Sequence, residues 1–145
     1  MRYLNATVAA ALPWALLTLL ASSSTDTTAH AAQPAAPRTI LDRVYSVAQA
    51  ERGQAQFKQS CGSCHAVSEF AEPAFSGRWE GRSLGDVFEF ISAAMPEGNP
   101  GSLKPDDYAS ILAYALSNGG FPVGYDDLPA KKDVLATIGI VPNPK

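Results

Sequence analysis

Cys61-Gly62-Ser63-Cys64-His65 constrains this chain more than any other stretch of its sequence. Two thiols stand two residues apart, with an imidazole directly after the second. A disulfide between them would close almost no loop, so it would do little for stability. The pair is better read through what it flanks.

Three chemistries use this spacing. A Cys-x-x-Cys pair can cycle between dithiol and disulfide, but the thioredoxin-like setting for that is a βαβ pattern, and no strand-like alternation is present. A zinc site needs four ligands. If the chain is cleaved after Ala31, no further Cys or His remains, and only carboxylates could complete the set. The third chemistry adds each sulfur to a vinyl group of one haem and sets the adjoining imidazole against the iron. The porphyrin itself then dictates the spacing of Cys61, Cys64 and His65.

A low-spin haem iron asks for a second strong ligand. Beyond Ala31 the chain has one methionine, Met95, directly before Pro96. Methionine on an apolar helix face is ordinarily core filling. Here no other His is available, and Pro96 restricts the local chain direction, so Met95 is the candidate axial partner of His65.

The N-terminus reads as an address label. Arg2 precedes an apolar run from Ala6 to Ala21, and Ala29-His30-Ala31 is a small-x-small cleavage pattern. The run is short for a membrane span and contains Pro13. The expected division is a signal peptide over 1–31, a lead-in segment over 32–45, a haem domain over 46–120 and a C-terminal extension over 121–145. No stable membrane insertion is expected after cleavage, and the expected location is the periplasm. The 145 residues carry 17% charged side chains and a net charge of -3, in small groups rather than runs, which argues against nucleic acid as a partner.

The pattern after the lead-in is helical. Ser46 is placed to cap a helix in which Val47, Ala50, Gln54 and Phe57 fall near one face. Gly53 inside it costs about 1 kcal/mol relative to Ala unless another helix crosses there. Ser83, with Asp86 in the first turn, opens a second helix with a stripe of Leu84, Val87, Phe88, Ile91 and Met95, stopped by Pro96. Pro105 opens a third with Asp106 and Asp107 in its first turn, an apolar face of Tyr108, Ile111, Leu112 and Ala115, and an end at Asn118-Gly119-Gly120. A short helix near 130–136 is possible in the tail. The fold class expected is all-α. No Ser-His-Asp set or nucleotide-binding glycine loop suggests an enzyme.

From about Ser46 to Asn118 the chain resembles the class I c-type cytochromes. The shared order is a helix with Gly53 and Phe57, CGSCH, Pro73, a helix ending in Met95-Pro96, and a helix with Ile111 and Tyr114. The resemblance implies a small cytochrome c-like fold, its N- and C-terminal helices crossing around one covalent haem c. It implies that Gly53 and Phe57 pack against Ile111 and Tyr114, and that the Pro73 carbonyl accepts a hydrogen bond from the His65 ring. Trp79 and Arg82 are candidate partners of a haem propionate. The stretch MPEGNPGSLKPDDYASILAYALSNGGFPVG is similar to cytochrome domains and subunits associated with periplasmic dehydrogenases.

The function these features imply is one-electron transfer on a haem held by Cys61, Cys64, His65 and Met95. The partners implied are a periplasmic dehydrogenase and a terminal oxidase or another cytochrome. Three alternatives stay open: a permanent cytochrome subunit of a dehydrogenase, a haem-based ligand sensor, and a thiol oxidoreductase.

Overall fold

Ser46, itself extended, starts the first helix because its hydroxyl accepts the Gln49 N–H at 3.0 Å, satisfying a donor that the helix itself cannot. This is seen in a computed structural model that describes residues 37–144. The expected signal segment lies outside the described residues, as do positions 32–36 of the lead-in. Among the described residues, no helix is long and apolar enough to cross a membrane.

The elements run β1 (Arg38–Thr39), α1 (Val47–Ser60), a 3-10 turn (Val67–Phe70), α2 (Ala74–Trp79), α3 (Leu84–Ala94), α4 (Pro105–Asn118), α5 (Lys132–Leu135) and β2 (Ile138–Gly139). Helices dominate, and the architecture is that of a small all-α domain with one addition. The two short strands pair in parallel, Arg38 beside Ile138 and Thr39 beside Gly139. Strands of two residues have no alternation for a sequence reading to detect.

Helices α1 and α4 cross face to face and form the most extensive helix contact in the fold. Gly53 lies at the crossing, where an added Cβ would stand 1.8 Å from the Ser110 carbonyl oxygen and 3.0 Å from the Tyr114 Cβ. Only glycine fits. The Phe57 ring lies 5.6 Å from the Tyr114 ring, one turn further along. This geometry also fixes which face of α1 is inside. Gln49, Ala50, Gly53 and Phe57 are buried, whereas Val47 is 56% exposed and Gln54 faces solvent. Val47 had been expected on the apolar face. At about 100° per residue it lies roughly 120° round the helix from Gly53, which turns it outward.

Helix α3 begins with the reciprocal cap its sequence suggests. Ser83 accepts the Asp86 N–H at 3.2 Å, and the Asp86 carboxylate accepts the Ser83 N–H at 2.8 Å. Leu84, Val87 and Phe88 of its stripe are buried, with Ile91 and Met95 half-buried toward the far end. Gly85 lets α5 approach, since a Cβ there would meet the Lys132 carbonyl oxygen at 2.8 Å.

The segments on either side of the helices supply part of the core. Ile40, Val44, Tyr45, Leu128, Leu135, Ile138 and Ile140 are all buried. Each large aliphatic among them is worth about 1.5–3 kcal/mol relative to leaving it in water. Gln49 is also buried, and its amide makes two hydrogen bonds to one residue of the tail. Nε2 donates to the Leu128 carbonyl at 2.8 Å, and Oε1 accepts the Leu128 N–H at 2.7 Å. Ile140 bonds to the connection between α2 and α3, its N–H to the Arg82 carbonyl at 2.8 Å and its carbonyl from the Gly81 N–H at 3.2 Å.

Candidate functional site

The last turn of α1 hands the chain directly into the cysteine motif. The N–H groups of Cys61 and Gly62 both donate to the Phe57 carbonyl at 2.8 Å, and those of Cys64 and His65 to the Cys61 carbonyl at 3.1 and 3.0 Å. Successive backbone bonds wind the five residues into a tight turn. Both cysteines are free thiols, Cys61 half-buried and Cys64 exposed. Burial pushes the Cys61 thiol pKa up.

Beside this turn lies an apolar cavity of about 140 Å³. Phe57 and Phe70 wall one part, Val87 and Ile91 of α3 another, and Ile111, Leu112 and Ala115 of α4 a third. Cys61, His65 and Met95 all line it. The same three residues, joined by Cys64, Glu97 and Gly98, line a second opening next to it.

Met95 is the C-cap of α3, and its backbone is held at three points. Its N–H donates to the Ile91 carbonyl at 3.0 Å, and its carbonyl accepts the Tyr108 hydroxyl at 2.7 Å and the Gly101 N–H at 3.3 Å. Tyr108, read from the sequence as core, is buried and also tethers the loop that carries the thioether. A buried tyrosine needs a partner for its hydroxyl, and here the partner is the Met95 carbonyl.

The expected hydrogen bond from the His65 ring to the Pro73 carbonyl is not the arrangement found. Pro73 is the N-cap of α2, and its carbonyl accepts the Gly77 N–H at 2.9 Å. The His65 Nδ1 instead faces Glu69 Oε2 at 3.1 Å. The reason is the 3-10 turn, which follows the motif at once and brings the residue four positions after His65 back to its ring. The His65 ring and the Ala66 N–H hold the Glu69 carboxyl pKa below the usual carboxylate range.

Trp79 lines the cavity, its ring 5.6 Å from that of Phe90. Arg82 lies over the Trp79 ring at 5.9 Å and is not among the cavity residues. Arg78, which the sequence reading passed over, is also stacked on Trp79, at 5.8 Å, and does line the cavity. A guanidinium at the rim of an apolar pocket suits the carboxylate end of an otherwise apolar ligand. Glu69 and Phe70 were passed over as well. The signal for Glu69 was its spacing of four residues from His65, the signal for Arg78 its place beside Trp79.

Residues 48–114 match the family model described as Cytochrome C oxidase, cbb3-type, subunit III. The match supports a c-type cytochrome domain over that stretch. No curated protein and no solved structure matches the chain. A cytochrome c domain of this kind carries covalently bound haem c with its iron, serves haem-based electron transfer and works with redox protein partners. The residues present fit that group. Two free thiols stand in one turn at the cavity edge, the walls are apolar, an imidazole and a thioether line the space, and a guanidinium stands at its rim. The cytochrome domain thus has a concave apolar site for a macrocycle and the donor atoms to hold its metal.

Proposed function

We propose that this chain is an exported single-haem electron carrier in which His65 and Met95 are the axial iron ligands. Cys61 and Cys64 would hold the macrocycle through thioether bonds. The observation that carries the reading is that Cys61 and His65 of the motif and Met95, at the far end of α3, line one apolar cavity. When bound, the haem supplies a one-electron ferrous/ferric couple.

The chain's own residues do the rest. Phe57, Phe70, Ile111 and Leu112 exclude water from the cavity and lower the local dielectric. Met95 offers a neutral thioether, which favours the lower metal charge and raises the potential relative to a second imidazole. Tyr108 holds the Met95 carbonyl, so the thioether sits on an anchored loop rather than a free one. The exposed Cys64 beside the second opening supports electron exchange at that edge with a transiently docked partner. With a net charge of only -3, docking should depend mildly on salt. Export rests on the signal-like segment over 1–31 and implies the periplasm as the place of work.

The test is the near-infrared spectrum of the purified ferric protein. Ligation by Met95 gives a weak sulfur-to-iron band there, absent from Met95→Ala. Carbon monoxide binding to the reduced wild type at neutral pH would favour the ligand-sensor reading instead.

A second reading, in which the domain is a fixed subunit of a larger periplasmic dehydrogenase, is favoured by one observation. The bridge between Ser46 and Gly124 joins two segments that carry exposed large hydrophobics, Val47 on one and Val123 and Tyr125 on the other, the last 96% exposed. Co-purification with a large catalytic subunit would decide for it, and a monomeric native mass against it.

A further inference from the structure

We propose that Glu69 is the positioning residue for the His65 ring, accepting the Nδ1–H and fixing the imidazole with Nε2 bare. The inference rests on the reading of His65 as an iron ligand, and goes beyond it by naming what orients that ligand.

The carboxylate is held at both oxygens. Oε2 lies 3.1 Å from His65 Nδ1, and Oε1 accepts the Ala66 N–H at 2.8 Å. It cannot turn away from the ring without losing the second bond. The 3-10 turn that carries Glu69 is itself anchored, because Asn118 of α4 donates to the Val67 carbonyl at 2.9 Å. Its last residue, Phe70, sets its ring edgewise to the His65 ring at 6.2 Å and is backed by Phe57 at 5.5 Å. The imidazole is therefore held by a carboxylate at Nδ1 and by an aromatic edge. The obvious neutral acceptor, the Pro73 carbonyl, takes the Gly77 N–H within α2.

The chemistry differs from that of a carbonyl acceptor. A charged acceptor makes the stronger hydrogen bond and leaves the imidazole a better donor through Nε2. A better donor favours the more highly charged metal and lowers the reduction potential. His65 and Glu69 are partly exposed, with side-chain exposures of 34% and 51%. Solvent weakens the purely Coulombic part of the effect, so the hydrogen bond must carry it.

The experiment compares the reduction potentials of the full-length haem-loaded protein, Glu69→Gln, Glu69→Ala and Glu97→Gln at one pH and ionic strength. Glu97 carries the same charge at the second opening and serves as the control for charge alone. Both Glu69 variants should rise in potential by at least a threefold change in the ferric-to-ferrous ratio, about 28 mV at about 59 mV per tenfold. Glu97→Gln should move less. The Nδ1–H resonance of nitrogen-labelled His65 should also shift in Glu69→Gln. Glu69 variants that move no further than Glu97→Gln, or an unmoved resonance, overturn the inference while the low-spin spectrum leaves the parent reading intact. A wild type without covalent haem removes both readings together.

Discussion

The Ser110 carbonyl oxygen occupies the place where a side chain on Gly53 would begin, 1.8 Å from the position of a Cβ. Because the obstacle is backbone, no rotamer change relieves it. Substituting Gly53→Ala gains about 1 kcal/mol of helix propensity and forces α1 and α4 apart. The expected net loss is about 2 kcal/mol, read from the denaturant midpoint. A variant as stable as the wild type would mean that the helices do not cross there.

The amide of Gln49 stands in for a neighbouring strand by serving both the N–H and the carbonyl of Leu128. Replacing it with leucine leaves two buried backbone groups unpaired, at about 1–3 kcal/mol each. Gln49→Leu is expected to lose about 2–4 kcal/mol in urea unfolding and to speed amide exchange at Leu128. Unchanged exchange at Leu128 would contradict the clamp.

Besides Glu69, two carboxylates make the fold sensitive to acid. The Ser83 backbone N–H and hydroxyl hold the Asp86 pKa below its ordinary value, and the Ser46 hydroxyl, with Arg52, does the same for Asp127. A pKa lower in the folded than in the unfolded chain contributes stability that is fully present above the unfolded value. That contribution is lost as pH falls through the folded value. The thermal midpoint is therefore expected to drop below about pH 3.9. In the double variant Asp86→Asn, Asp127→Asn, the drop should be shallower. An equal slope in that variant would contradict the assignment.

The Tyr108 hydroxyl bond to the Met95 carbonyl, at 2.7 Å, makes a prediction about the loop and another about the ligand. Tyr108→Phe should cost about 0.5–1.5 kcal/mol in global stability. On the proposed ligation, its sulfur-to-iron band should also disappear at lower denaturant than in the wild type. Loss of the band only at global unfolding in both proteins would show that the tether is irrelevant to Met95.

The helix starts were legible because they depend on one or two residues: Ser46, the Ser83–Asp86 pair and Pro105 all act where their chemistry suggests. The crossing at Gly53 was legible for a similar reason, since a helical glycine needs a local cause. What escaped depends on partners far away in sequence. Gln49 carries no signal of its own in the sequence until Leu128 stands beside it, and Val47 reads as core until the crossing turns it outward. At the site, the motif and Met95 stood out by residue type, and the cavity gathers Cys61, His65, Met95 and Trp79. Glu69 and Arg78 did not stand out, because exposed charges acquire meaning only from the ring or rim they face.

The decisive measurement is the intact mass of protein matured in a host able to attach haem. The polypeptide plus one haem is expected, with neither Cys61 nor Cys64 open to alkylation after denaturation. A bare polypeptide mass with two alkylatable thiols would contradict it.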